Sequence, residues 1–172
     1  MNYFELFGLP VQFALDSQAL AGTYRQLQMQ FHPDRFASRP ERERLLAVQR
    51  AAQINDAFTT LKQPLNRAEY LLSLHGIDIR AEQQTLKDPL FLMQQMEWRE
   101  QLETIPEADD LFGAIMAFER ELGLVSAELF NELERQLDSS CWQEAADTVR
   151  KLKFMTKLHA ELERLEDAQQ EL

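Results

Sequence analysis

Phe31-His32-Pro33-Asp34 interrupts what is otherwise one long helical pattern, and the reading of that interruption decides the fold. Upstream, Leu20, Tyr24, Leu27 and Phe31 recur at four, three and four residues, the spacing of a single apolar stripe on a helix. Downstream, Ala47, Ala51, Ile54, Phe58 and Leu61 repeat the rhythm. Pro33 disfavours the helical region for His32 and has no N–H to donate, so the first of these helices must stop near Phe31. Two such stripes facing each other predict an antiparallel hairpin, with an imidazole, a rigid ring and a carboxylate exposed at its tip.

Outward from the hairpin the remaining elements are helical as well. A short helix is expected from Asn2 or Tyr3 to Phe7, ended by Gly8 and Pro10. Asp16 is the N-cap of the helix that reaches Phe31. Ser38 or Arg39, standing before Pro40, is read as the start of the third helix, which yields at Gln63-Pro64. A fourth runs from Leu65 to His75 and is closed by Gly76. Residues 77–87 show no sustained period and read as a linker between an N-terminal domain, 1–76, and a C-terminal one, 88–172. In the second domain Asp88-Pro89 opens a helix that Ile105-Pro106 ends. Leu111, Ile115, Phe118, Leu122, Val125 and Leu129 then alternate by four and three, which predicts the longest helix. Ser139-Ser140 is a turn, and Trp142 to about Gln169 the last helix, with Ala145, Val149, Leu152, His159 and Leu162 inward. No strand pattern competes, so the fold class is all-α, ending in an antiparallel three-helix bundle.

Composition bounds what this fold does. With 45% hydrophobic residues, 5 Gly and 6 Pro in 172 residues, the chain is ordered rather than low-complexity. Its net charge of -11 is uneven: residues 1 to 75 carry 8 Lys+Arg against 7 Asp+Glu, and residues 76 to 172 carry 10 against 22. An acidic half of this kind repels phosphate backbones, so no nucleic-acid partner is expected. The one cysteine, Cys141, rules out an internal disulfide and a multi-thiolate metal site. A cytoplasmic location fits. Neither a signal peptide nor a membrane span is expected from the N-terminus or from any apolar run.

Catalysis is poorly served. His32 and Asp34 have the chemistry of an acid and a base, but no serine elbow accompanies them, and His75 and His159 belong to other helical segments. The residues three before the histidines are Met29, Leu72 and Thr156, so the Glu-x-x-His pairs of a bundle di-iron site are missing. The expectation is a protein that is not an enzyme and carries no cofactor or metal. Binding is better served. In the helix after Pro89, Phe91, Trp98, Leu102 and Ile105 suffice for a core stripe, yet Leu92, Met93 and Met96 add apolar surface beyond it, bordered by Glu97 and Glu100. Such an excess means either burial on two sides or an adaptable docking face. Phe154 is similarly surplus beside Leu152, Met155 and Leu158.

Around the tip the chain resembles the J domains of DnaJ-type co-chaperones. The resemblance is carried by His32-Pro33-Asp34, then Ile54-Asn55-Asp56-Ala57-Phe58, Leu61-Lys62-Gln63-Pro64 and Arg67-Ala68-Glu69-Tyr70, with Tyr3-Phe4-Glu5-Leu6-Phe7-Gly8-Leu9-Pro10 as the opening. The length, the acidic second half and the run from Phe91 to Glu100 resemble one branch, the HscB co-chaperones of iron-sulfur cluster assembly. That likeness implies a J domain followed by a client-binding three-helix bundle. It implies a DnaK-class chaperone of the HscA type as partner, its ATPase stimulated through His32, Pro33 and Asp34 with Arg25 and Arg35 flanking. It also implies an iron-sulfur scaffold of the IscU type as client, held by Leu92, Met93, Met96, Glu97, Glu100 and Phe154; Met96 stands where a leucine is usual. One departure matters: Gln26, Gln28 and Gln30 occupy the helix where J domains carry a basic run, which implies weak steering and a dedicated partner. The alternatives are a helical adaptor and a general J-protein serving unfolded clients.

Overall fold

The computed structural model describes residues 1–80 and 86–170, and the chain divides into two compact units, Met1–Gly76 and Ile77–Leu172. Residues 81–85, inside the stretch read as a linker, and 171–172, at the end of the predicted C-terminal domain, lie outside the described residues. All regular structure among the described residues is helical, as the patterns require.

The N-terminal unit contains α1 (Tyr3–Leu6), α2 (Ser17–Gln30), α3 (Glu41–Lys62) and α4 (Pro64–Leu74). Each start has a local cause. Asn2 and Glu5 form a reciprocal capping box on α1. Asp16 accepts from the N–H groups of Gln18 and Ala19 at the head of α2. Pro64 begins α4 at a position whose N–H has no helical partner to lose. Gly8 and Gly76 take left-handed φ values of 65° and 82° just past α1 and α4, where a side chain is strained. The start of α3 differs from expectation. Pro40 is itself the cap, with ψ 152°, and neither Ser38 nor Arg39 serves; the helix begins at Glu41, and its first-turn acids Glu41 and Glu43 complement the positive end of the helix dipole instead.

α2 and α3 run antiparallel. Tyr24 stacks on Phe58 with ring centroids 3.9 Å apart, while seven residues further on Phe31 lies under the guanidinium of Arg50. Leu20, Ala47, Ile54, Ala57 and Leu61 are buried along the hairpin, and Phe4 closes it from α1. Arg67 locks the other end. It is 8% exposed; its Nε donates to the carbonyl of Phe13 and a terminal nitrogen donates to that of Leu61, both at 2.7 Å, while the guanidinium lies 4.9 Å from the Phe13 ring. One side chain thus ties the loop before α2 to the last turn of α3. Burial pulls its pKa below the usual arginine value.

The C-terminal unit contains α5 (Pro89–Thr104), a 3-10 turn at Ile105–Glu107, α6 (Leu111–Asp138) and α7 (Trp142–Gln170). Gln136 meets Thr148 at 2.7 Å and Ser126 meets His159 at 3.4 Å, so α6 and α7 are antiparallel. Asp88 pairs with Lys151 and Arg99 with Glu161, so α5 runs parallel to α7 as an up-down-up bundle demands. The core is Phe91 and Trp98 from α5, Ile105 from the 3-10 turn, the leucine seam of α6 and Leu152, Met155, Leu158 and Leu162 from α7. Val125 is only half-buried. The seam passes from Leu122 to Leu129, Leu133 and Leu137, because a helix of 3.6 residues per turn drifts about 20° per heptad off a strict four-three pattern.

Replacing Arg67 with Met keeps the apolar stem but strands two buried carbonyls. Urea unfolding followed by circular dichroism is expected to show a loss of about 3 kcal/mol; a loss below about 1 kcal/mol counts against this role.

Candidate functional site: an exposed helical corner and an apolar helix face

The corner between α2 and α3 is open to solvent. α2 ends at Phe31, whose N–H donates to Leu27, and His32 turns extended with ψ 131°. The tip then winds into a single 3-10 turn, Pro33–Phe36, that the sequence pattern did not reveal. Its cause is local: Pro33 fixes φ at the first position, and His32 caps the turn by accepting the N–H of Asp34 at Nδ1, 3.2 Å away. The side chains of His32 and Asp34 are 58% and 92% exposed, with Nδ1 3.6 Å from an Asp34 carboxylate oxygen.

Arg25, Gln28, Met29, His32 and Arg35 line one shallow depression beside this tip. The structure therefore brings together three of the five residues singled out for chaperone contact, with Pro33 and Asp34 next to them on the exposed corner. Met29 and Gln28 are not among the contact residues expected from the sequence. The available signal was spacing: Met29 lies four residues after Arg25 and three before His32, on one helical face. Behind the depression, the Gln28 amide donates to the Tyr24 hydroxyl at 2.8 Å, which donates to Asn55 at 2.7 Å, so the helix that presents Arg25 is clamped to α3.

On α5, Phe91 and Trp98 point to the core, whereas Leu92, Met93 and Met96 are 40%, 60% and 68% exposed and Glu97 and Glu100 are exposed beside them. These five form one surface. Phe154 is different. It is half-buried, edge-on to Phe91 at 5.9 Å, 6.3 Å from Trp98 and under the Arg99 guanidinium at 5.5 Å. It joins the face to the core rather than standing free on the surface. The head of α5 is fixed by Asp88, which accepts from the N–H groups of Leu90 and Phe91 and from Lys151 at 2.8 Å. These hydrogen bonds, that of Lys151 foremost, hold the Asp88 carboxyl below the usual aspartate range.

Among the described residues no group of three His, Cys, Asp or Glu side chains is placed to hold a metal ion. No helix among them is long and apolar enough to cross a membrane.

An antiparallel hairpin with an exposed His-Pro-Asp corner, followed by a helical bundle, defines a J-protein architecture with a C-terminal helical domain. Comparisons with known proteins narrow the class. Residues 87–171 match the family model described as the HSCB C-terminal oligomerisation domain. The chain is 62% identical over 168 residues to the "Co-chaperone protein HscB homolog" of Aeromonas salmonicida, covering 98% of each chain, and 56% identical over 167 residues to that of Vibrio atlanticus, covering 97% and 98%. Among solved structures it resembles the chaperone HscB from Vibrio cholerae (TM-score 0.86, 53% identity, 98% of this chain and 99% of that one) and human co-chaperone protein HscB (TM-score 0.87, 28% identity, 96% and 82%). The chain belongs to the HscB co-chaperone family.

A carboxyl whose native pKa lies below its unfolded one stabilises the fold fully above the unfolded value, and that contribution is lost as pH falls through the native value. Lys151→Met removes the largest cause of the shift at Asp88. The melting-temperature gap between the native chain and this variant is expected to be constant from about pH 7 to pH 5 and to narrow below about pH 4. A gap that stays constant to about pH 3 speaks against the pair.

Proposed function

We propose that the protein stimulates the ATPase of a dedicated DnaK-class chaperone of the HscA type and delivers to it an iron-sulfur scaffold of the IscU type, promoting cluster assembly or transfer. On this reading residues 1–76 are the J domain, 77–87 a linker and 88–172 the client-binding bundle, and the protein works in the cytoplasm. The observation that carries it is the exposed His32-Pro33-Asp34 corner on a clamped hairpin, in a member of the HscB family. Asp34 is placed for a charge-assisted pair with an arginine of the chaperone, and Pro33 holds it there at little entropic cost. His32 orients it through the Asp34 N–H. The five exposed residues of α5 receive the scaffold, with Phe154 supporting them from behind. Joining both contacts in one chain raises the effective concentration of scaffold and chaperone for each other.

A second reading, self-association of the C-terminal unit, is favoured by one observation: Phe112, Met116 and Leu124 are exposed apolar side chains on α6, in the span matched by a model described as an oligomerisation domain. A sedimentation measurement decides it; a monomer at high concentration removes it.

The principal test is steady-state ATP turnover by an HscA-type chaperone with this protein and the scaffold added separately and together. Each is expected to raise turnover and the pair to do so synergistically. His32→Gln and Asp34→Asn should both abolish the effect of this protein with helicity intact, and undiminished stimulation by either sinks the reading. For the client face, Met93→Ala combined with Met96→Ala avoids the Phe154 cluster. It is expected to weaken scaffold binding at least about fivefold, read by calorimetry. Unchanged affinity removes α5 as the contact.

A further inference from the structure

Of the six methionines, Met155 is fully buried and the other five are exposed. Met1, Met29 and Met116 stand singly on their segments. Met93 and Met96 are three residues apart on α5, about 60° from each other round the helix and beside exposed Leu92. Both thioethers are open to dissolved oxidants, and neither holds the fold: Phe91 and Trp98 pack α5 on the core, and Asp88 caps it. Oxidation at this pair therefore alters the surface and spares the bundle. A sulfoxide is a polar acceptor where a flexible apolar side chain stood. Among the α5 positions three and four residues from the pair, Arg99 alone carries a side-chain donor, and it is engaged with Glu161 and the Phe154 ring. A partner covering the oxidised face would bury two acceptors for which this helix supplies no donor, and such burial is costly.

We propose that Met93 and Met96 form a reversible oxidation site, at which a peroxide turns both thioethers into sulfoxides and so releases the client; this rests on the scaffold reading above. At each sulfur a lone pair attacks a peroxide oxygen, and the S–O bond forms as the O–O bond breaks. Sulfur is oxidised, the peroxide is reduced, and with hydrogen peroxide the departing hydroxide takes up the proton of the transferred hydroxyl and leaves as water. Methionine sulfoxide reductases, one for each epimer, reverse the step: their thiols are oxidised to a disulfide and the sulfoxide oxygen leaves as water. Met155 is sheltered in the core throughout.

The test is calorimetry of the full-length protein against an IscU-type scaffold, before and after the protein alone is exposed to hydrogen peroxide. The peroxide is removed before mixing, and dithiothreitol then reverses disulfide or sulfenic oxidation of Cys141 while leaving sulfoxides in place. Peptide mass spectrometry is expected to find oxygen on Met93 and Met96 and none on Met155. Binding should weaken at least about tenfold with unchanged far-ultraviolet circular dichroism, and the two reductases should restore it. A Met93→Leu, Met96→Leu chain should change by less than about twofold from its own untreated affinity, whereas a Met29→Leu, Met116→Leu chain should lose as much as the native one. A fully oxidised native chain within about twofold of the untreated one, or an equal loss in the Met93→Leu, Met96→Leu chain, overturns the oxidation site alone. Absence of scaffold binding by the untreated native chain overturns the scaffold reading and the oxidation site with it.

Discussion

The face-to-face contact of Tyr24 and Phe58, 3.9 Å between ring centroids and 6° from parallel, sets how α2 lies on α3. Aromatic pairs of this kind add about 0.5 to 1.5 kcal/mol to the area they bury. Here the pair also fixes register, because the Tyr24 hydroxyl sits in a chain of hydrogen bonds from Gln28 to Asn55. With that register set, Phe31 falls beside Arg50 and Pro33 falls where the chain must turn. The tip is then determined by covalent restriction: a proline that holds φ, a residue before it that cannot be helical, and a histidine whose nitrogen receives the next free N–H. A surface element is in this way made rigid by contacts that are themselves partly buried.

The C-terminal unit solves the opposite problem. A middle-sized helix, α5, carries apolar groups on more than its packed face, and it is kept in place without burying them. Phe91 and Trp98 engage Phe154, and an ion pair lies toward either end, Asp88 with Lys151 and Arg99 with Glu161. Isolated exposed ion pairs contribute little. These sit beside an aromatic cluster, with Lys151 over Phe91 and Arg99 over Phe154, so each cation serves both a carboxylate and a ring.

Helix positions were legible because their signals are local: Asp16 and Asp88 as caps, Pro89 as a first residue, Pro64 as the stop of α3 and Gly76 as that of α4. The excess apolar residues of α5 were legible for the same reason, as departures from one stripe. Three features were not. The role of Arg67 depends on carbonyls 54 and 6 residues away in sequence, which no pattern encodes. Phe154 is surplus by periodicity, yet only the crossing of α5 over α7 reveals that its ring belongs to an aromatic cluster. Met29 reads as noise on a polar face until the fold sets Arg25, His32 and Arg35 around it.

The distribution of the two indoles has a practical side. Trp98 and Trp142 both lie in the C-terminal unit, and none is in the first 76 residues. Trp98 sits on α5 two residues after Met96, its ring 6.3 Å from Phe154. Light absorbed at the red edge of the protein spectrum thus excites only that half of the molecule, and one of its two emitters stands directly behind the Leu92 and Met96 surface. Emission excited there reports on the C-terminal unit alone, while the hairpin stays dark.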